Sequence, residues 1–312
     1  MKTASFILFL AAGVAALVLS PSLQAEEGGT GHVAPGAVAT MIDAPPSKSG
    51  WVIEAIYTRY TGGFDAIKEL PIGGEISLGL DATADVLTVG ALYTFKNELL
   101  GAHFSAGAFM PYIWLDVSGN VNQIERTDTA QGFSDITLIP VMLAWKEGFW
   151  EYSATLAVYA PTGEYNAGDL ANVGLNYWTV DPGFGVSYNN DKTGFNFGAY
   201  AGITFNSENS ATDYKSGSMF HLEGSVQQLL PLGKGYLGIG VDAFYFEQVS
   251  GDSGTGARRD FKGQTIGIGP VLDYILPVGQ NTLVFEAKWL PELQVRNRIK
   301  GDYIWVKAAY QF

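Results

Sequence analysis

Very few residues in this chain could carry out covalent chemistry. The 312 residues include three His and no Cys, so there is no thiolate nucleophile and no Cys-ligated metal. His103 and Ser105 are two residues apart, which places both on one face of a strand, as a nucleophilic Ser–His pair requires. Their neighbours in A-H-F-S-A-G-A-F offer no polar group to orient the His. We therefore expect a protein that is not an enzyme, with no catalytic residue, no metal and no cofactor; a lipid hydrolase embedded in a barrel is the alternative.

A second group of residues can act on solutes through charge alone. These residues lie on the less apolar face of predicted strands, among Gly and other small side chains. The group consists of Glu54, Asp135, Glu151, Asp181, Glu223, Asp242, Asp273, Glu286, Lys288 and Lys307. If this face lines a water-filled pore, its excess of carboxylates favours cations over anions.

A salt-bridge ladder that fills the interior is the alternative for four members of this group, because their strands become neighbours when a barrel closes. The four are Glu54, Glu286, Lys288 and Lys307. The sequence shows no evident cationic partner for Glu223, Asp242 and Asp273, which suits a pore-lining role better.

The elements that position these residues are strands, because apolar residues alternate with Gly or polar residues over segments of about ten residues. In the final segment, Ile304 and Val306 share one face while Trp305 and Lys307 share the other. Twelve such segments occur, at about 51–60, 85–96, 102–116, 133–145, 149–160, 173–188, 194–206, 218–230, 235–247, 263–276, 281–291 and 301–312. Twelve is an even number, as single-chain bacterial barrels require.

The connectors alternate between short and long along the chain. The short ones are 97–101, 146–148, 189–194, 231–235 and 277–281, and the long ones are 61–84, 117–132, 161–172, 207–217, 248–262 and 292–300. Outer-membrane barrels have short periplasmic turns and longer external loops in this order. We predict an all-β fold, a transmembrane antiparallel up-and-down β-barrel of twelve strands over residues 51–312, in the outer membrane of a Gram-negative cell.

Composition and the N-terminus support this location. Charged residues make up 16% of the chain and the net charge is −13, which disfavours binding to nucleic acid. Lys2, the apolar run 4–19 and the small residue Ala25 predict a cleavable secretory signal over residues 1–25; an uncleaved anchor is the alternative.

The ends of the predicted strands indicate the partners of the barrel. Tyr and Trp cluster where strands would meet the two membrane interfaces, so outer-membrane lipid is one partner. Tyr310 and Phe312 close the chain and resemble the assembly signal that outer-membrane proteins present to the barrel-insertion machinery. Basic loop residues could bind lipopolysaccharide phosphates, or simply keep the loops soluble; they are Arg258, Arg259, Lys262, Arg296, Arg298 and Lys300.

Residues 26–50 form a segment rich in Gly and Pro that precedes the barrel. One interpretation is a flexible periplasmic leader. The other is a plug inside the barrel, formed by the apolar and stiff residues Val38, Met41, Ile42, Pro45 and Pro46.

Three stretches carry a family resemblance: 28–46 (G-G-T-G-H-V-A-P-G-A-V-A-T-M-I-D-A-P-P), 132–140 (G-F-S-D-I-T-L-I-P) and 160–165 (A-P-T-G-E-Y). They resemble the outer-membrane family named for the meta-pathway of phenol degradation. The resemblance implies a channel or transporter that admits small hydrophobic or aromatic solutes. The alternatives are the lipid hydrolase above and a structural or adhesive barrel without transport.

Overall fold

A computed structural model describes residues 27–72, 75–121, 124–255, 257 and 262–312. The predicted leader at residues 1–25 lies outside these ranges, as do Arg258 and Arg259. Among the described residues, no helix is long and apolar enough to cross a bilayer.

The described residues form twelve long strands, as predicted. They are β1 (Gly50–Ile72), β2 (Glu75–Thr94), β3 (His103–Val121), β4 (Ile124–Phe133 and Ile136–Glu147), β5 (Trp150–Ala160), β6 (Thr179–Asn190), β7 (Phe195–Ile203, continued at Phe205–Asn206), β8 (Met219–Leu232), β9 (Gly235–Gln248), β10 (Gln264–Val278), β11 (Asn281–Arg296) and β12 (Lys300–Gln311). A short 3-10 turn spans Glu27–Gly29, and the ribbon Tyr214–Lys215 with Ser253–Gly254 joins two loops.

Each strand pairs antiparallel with the next, and β1 also pairs with β12, so the sheet closes on itself. The closing seam runs from Val52 opposite Gln311 to Gly63 opposite Lys300. It is completed by two backbone hydrogen bonds between Trp51 and Phe312, at 2.9 and 3.0 Å. Closure leaves no unpaired edge at membrane height, which is what a lipid environment requires. The prediction of a closed twelve-stranded barrel is confirmed.

The five short connectors lie together at one end of the barrel, which we call the short-turn end; the long connectors lie at the other, the long-loop end. Two predicted loops, 61–84 and 117–132, are mainly strand instead. In them β1 pairs with β2 and β3 pairs with β4 beyond the barrel rim. Hairpin pairing satisfies the backbone groups there without a loop. Phe64, Leu80 and Val117 keep the inward alternation and join a buried apolar cluster.

Large apolar side chains cover the outside of the barrel. On β12, Ile304 and Val306 are exposed while Trp305 and Lys307, on the other face, are buried. The same alternation places Ile239 and Val241 of β9 outside. A closed barrel with an apolar outer belt and a polar interior is an outer-membrane barrel.

Candidate transport lumen

Residues 27–49, the N-terminal segment, lie inside the barrel. At the long-loop end the backbone N–H of Glu27 donates to Ser216 Oγ at 3.3 Å, and its carboxylate accepts from Asn209 Nδ2 at 3.0 Å and from Tyr165 OH at 3.2 Å. Burial and the neighbouring Glu27 charge raise the pKa of Tyr165 to about 12. Strand β1 then begins at Gly50, at the short-turn end. The segment therefore runs the height of the lumen, which differs from a flexible periplasmic leader.

The backbone of residues 38–41 is held by inward side chains of β8. Glu223, Ser225 and Gln227 are spaced two apart, so they share the inner face. Their contacts are Val38 N to Glu223 Oε2 at 3.1 Å, Ser225 Oγ to Ala39 O at 2.6 Å, and Met41 N to Gln227 Oε1 at 3.3 Å. These bonds give the segment a register along β8, because each side chain matches one backbone group.

A buried ionic network fixes the same segment to β12. Lys307 Nζ lies 2.6 Å from Asp43 Oδ1 and 3.5 Å from Glu286 Oε1, and donates to Ala37 O at 2.9 Å. Lys288 Nζ lies 3.4 Å from Glu286 Oε1 and 2.9 Å from Asp242 Oδ2. Buried charges are tolerable only when they are paired in this way.

The network changes two expectations from the sequence. Asp242, which has no evident cationic partner in the sequence, is paired with Lys288. Glu54 faces the lumen but forms no hydrogen bond or ion pair with the described residues, so it is not part of the ladder. Asp273 is buried and accepts a hydrogen bond from Gln227 Nε2.

A cavity of about 560 Å³ lies between the N-terminal segment and the opposite wall. The inward side chains of β8 to β12 comprise the charged network and an apolar cluster that packs on Val33, Ala34 and Ala37 of the segment, whereas this wall consists of the inward side chains of β1 to β5, which are mainly apolar. Its apolar members include Ile56, Ala84, Val86, Leu92, Phe109, Ile113, Ile139, Met142 and Ala157. The segment fills the side that contains the charged network, which we call the polar side, and the cavity remains along the apolar wall.

His32 of the segment closes the long-loop end of this cavity with aromatic rings. It stacks on Tyr159, with centroids 5.0 Å apart, and meets Tyr177 edge-on at the same distance. Its Nε2 lies 3.0 Å from Asp135 Oδ2 and its Nδ1 lies 2.7 Å from Thr179 Oγ1. Both ring nitrogens are therefore satisfied, and the ring is fixed in orientation.

Asp135 also clamps residues 161–178, which we call the mouth loop. Its Oδ1 accepts from Gly163 N at 2.9 Å and its Oδ2 accepts from Leu175 N at 2.7 Å. Leu170 and Val173 of this loop are buried and line the cavity. Asp135 lies where β4 is interrupted, between its two segments, and it joins the mouth loop to the N-terminal segment.

The other predicted lumen residues also face inward. Asp181 Oδ1 lies 3.1 Å from Nε2 of the buried His221. Glu151 is 6% exposed and lines the cavity near the short-turn end. The predicted plug residues are distributed along the segment: Val38 and Pro45 line the cavity, Ile42 and Pro46 are buried, and Met41 contributes its N–H to Gln227.

The remaining predicted sites lie away from this arrangement. Tyr310 stacks on Phe312 outside the barrel, with centroids 5.3 Å apart. Ser105 is buried, and its Oγ shares a hydrogen bond with Thr94 Oγ1 at 2.7 Å, so Ser105 pairs with Thr94 rather than with His103. Among the described residues, no group of three or more His, Asp or Glu is arranged to hold a metal ion.

Sequence reasoning missed His32, Asp43 and the pair Ser225 and Gln227. One signal was available for Asp43: it is the single charged residue in the apolar stretch 33–47, so a buried cation was its natural partner. Ser225 and Gln227 follow Glu223 at intervals of two, so the alternation alone places all three on the inner face of their strand.

Comparison with known proteins gives the following similarities. The family model described as the MetA-pathway of phenol degradation matches residues 69–308. Among solved structures, the outer-membrane channel from Pseudomonas putida F1 is 18% identical and covers 90% of this chain and 100% of its own, with a TM-score of 0.66. The β-domain of the Bordetella autotransporter BrkA is 12% identical and covers 85% of this chain and 100% of its own, with a TM-score of 0.50. No curated protein matches the chain. These similarities support the barrel fold.

Proposed function

The chain belongs to the family described as the MetA-pathway of phenol degradation, and on that premise we propose that it is an outer-membrane channel for small apolar and aromatic solutes. The observation that carries this proposal is the cavity of about 560 Å³ with its apolar wall. Its size falls within the range of small-molecule sites, which are mostly apolar with a few polar groups.

The division of the lumen explains why apolar solutes suit this passage. The polar side chains of β8 to β12 are occupied by the N-terminal segment, through backbone hydrogen bonds and the Asp43–Lys307 pair. The open side offers a solute few hydrogen bonds in return for its hydration shell. A strongly hydrated solute would lose more than it gains there, whereas an apolar solute gains from burial.

The N-terminal segment acts in this proposal as a plug, and the mouth loop narrows the other end of the same passage. Both must move for a solute to pass. No residue carries out a catalytic step in this function, which differs from the two alternatives, a lipid hydrolase and an adhesive barrel.

The proposal includes the partners of the barrel. Outer-membrane lipid covers the apolar belt, and the insertion machinery reads Tyr310 and Phe312. Of the basic loop residues, Arg298 is only 4% exposed and so is unsuited to lipopolysaccharide, while Arg296, Lys262 and Lys300 remain candidates at the surface.

Uptake by cells tests the proposal, because lipopolysaccharide slows unassisted entry of apolar compounds. Labelled benzyl alcohol and arabinose are supplied to cells that produce wild type, Ala84→Phe or Ala55→Phe at equal levels. Ala84 lines the cavity and Ala55 faces outward on the neighbouring strand. We expect Ala84→Phe to reduce benzyl alcohol uptake severalfold and Ala55→Phe to leave it unchanged. Equal uptake by cells with and without the protein would overturn the proposal.

A further inference from the structure

The charges of the cavity indicate a narrower solute class, an inference that rests on the proposed function. We propose that Glu54 and Glu151 make the cavity selective for apolar amines over apolar carboxylates. In a protonated amine, an ammonium group would meet these carboxylates while the apolar body occupies the apolar wall.

The cavity lining is strongly acidic. Six carboxylates of the described residues line it, and Arg298 is the one permanently charged cation among those lining side chains. The six are Glu27, Asp43, Glu54, Asp135, Glu151 and Asp181. Lys307 balances one of them, Asp43, while Lys288 is paired with Asp242 and Glu286 on the polar side.

Four of the six carboxylates are already satisfied by contacts within the protein. Asp43 is paired with Lys307 and Asp181 with His221. The other two are Glu27, held by Asn209 and Tyr165, and Asp135, held by His32 and two backbone N–H groups. Their oxygens are therefore engaged by the fold rather than offered to a solute.

Glu54 and Glu151 differ from these four. Glu151 is 6% exposed, and its Oε1 has no hydrogen-bond partner among the described residues. Lys146 is its cross-strand neighbour, but that side chain is exposed and no ion pair joins the two within 4.0 Å. Glu54 is partly buried, lines the cavity and has no hydrogen bond or ion pair with the described residues.

Both residues lie near the short-turn end, where β1 and β5 begin. A solute that enters from the long-loop end therefore passes the apolar wall before it reaches these two carboxylates. A buried acceptor without a partner is unfavourable, and an ammonium group both donates to it and neutralises it. A carboxylate solute at the same place would meet the same carboxyl groups, whose ionised form repels it in surroundings of low dielectric constant.

His221 adds a further acceptor to the cavity. It lines the cavity, it is 1% exposed, and its Nδ1 has no hydrogen-bond partner among the described residues. Its Nε2 faces the Asp181 carboxylate, and a ring that carries its proton on that nitrogen presents Nδ1 as an acceptor. Like the carboxylate oxygens, this nitrogen is suited to a solute that donates a hydrogen bond.

Binding measurements with three solutes that share one ring test this selectivity. Protein in lipid nanodiscs is titrated calorimetrically at pH 7 with benzylamine, benzyl alcohol and benzoate, and empty nanodiscs provide the blank. We expect benzylamine to bind most tightly and benzoate least. Glu54→Gln and Glu151→Gln, singly and together, should weaken benzylamine binding, by about tenfold in the double variant, and leave benzyl alcohol unchanged.

Asp85→Asn is the matched control, since Asp85 lies on the outer face, paired with Arg59 at 3.1 Å. If benzyl alcohol binds but benzylamine binds no better than benzoate, the selectivity is overturned while the proposed function stands. If no solute binds to folded wild type, the proposed function itself fails. Folding of each single variant is checked by the shift of its gel mobility on heating. If the double variant misfolds, the two single variants still test the selectivity.

Discussion

Nε2 of His32 lies 3.0 Å from Oδ2 of Asp135, although the two residues are 103 positions apart in the chain. The same carboxylate holds Gly163 and Leu175 of the mouth loop. One side chain thus joins the N-terminal segment to the loop that narrows the long-loop end. The positions of the segment and of the loop are therefore linked through this carboxylate.

His32→Ala should loosen the long-loop end of the segment. It removes a hydrogen bond to a carboxylate, worth about 1.5–3 kcal/mol, and the stacking on Tyr159. We expect more frequent opening and a higher mean conductance in planar bilayers. His103→Ala is the control, because His103 lies on β3 and does not line the cavity. A conductance equal to that of wild type would show that this contact does not restrain the segment.

Deletion of residues 26–48 should raise single-channel conductance more than the point variant does. The deletion empties the polar side of the lumen and exposes the carboxylates of Glu223, Asp242 and Asp273 to water. The open channel should then favour cations over anions, which a reversal potential under a salt gradient reports. Unchanged conductance would remove the plug from the proposed function.

Lys307→Met should destabilise the barrel more than a surface substitution. The substitution removes the buried cation that pairs with the carboxylates of Asp43 and Glu286. Breaking a buried ion pair costs about 3–5 kcal/mol. The midpoint of urea unfolding in detergent measures the loss. Lys192→Met, in the exposed turn between β6 and β7, should change the midpoint little. Similar midpoints for the two variants would argue against the network as a stabilising element.

Gly202→Ala should disrupt the pair of His221 and Asp181. A Cβ at position 202 would lie 2.4 Å from His221 Nε2 and 2.9 Å from Asp181 Oδ1, so the pair must shift. We expect a lower melting temperature and weaker amine binding. Gly224→Ala on β8 is the control, since its nearest atom lies at 3.4 Å. Equal melting temperatures for both variants would contradict this prediction.

Alkaline pH should weaken the attachment of the N-terminal segment at Glu27, where Tyr165 donates a hydrogen bond to the carboxylate. Burial and the Glu27 charge raise the pKa of Tyr165 to about 12 from the ordinary value near 10, so the folded state holds this proton more tightly. Its stabilising contribution is complete below pH ~10 and is lost as the pH rises towards 12. Absorbance at 295 nm and unfolding midpoints follow the change. Tyr165→Phe should lack the part of the pH dependence that is due to this hydroxyl; an identical profile would refute the assignment.

The period of two predicts most of the fold, because it fixes both the strand and the face of each residue. Lys307 and Trp305 are assigned to the interior correctly from their neighbours alone. Strand ends are harder to predict from the sequence. The hairpin extensions of β1 and β3 are predicted as loops, because polar residues interrupt the alternation of apolar residues beyond the membrane.

The partners inside the lumen could not be predicted, because they depend on how far side chains reach and where the segment runs. Asp242 and Lys288 lie on strands that are not neighbours, with β10 between them. Gly269 stands opposite Asp242 on that strand, so no side chain intervenes there. Asp43 comes from outside the barrel strands altogether, and only the path of the segment brings it to Lys307.

The path of the N-terminal segment also changes the topology of the chain. Twelve strands alone would leave both termini on the same side of the membrane, but the segment adds a thirteenth crossing and places residue 27 at the opposite side from Phe312. Among the described residues, only the end at Gly50 continues into a strand, so withdrawal of the segment from the lumen would break side-chain contacts but no strand pairing. An epitope fused ahead of residue 27 would therefore change compartments with the state of the passage, while the barrel around it remains intact.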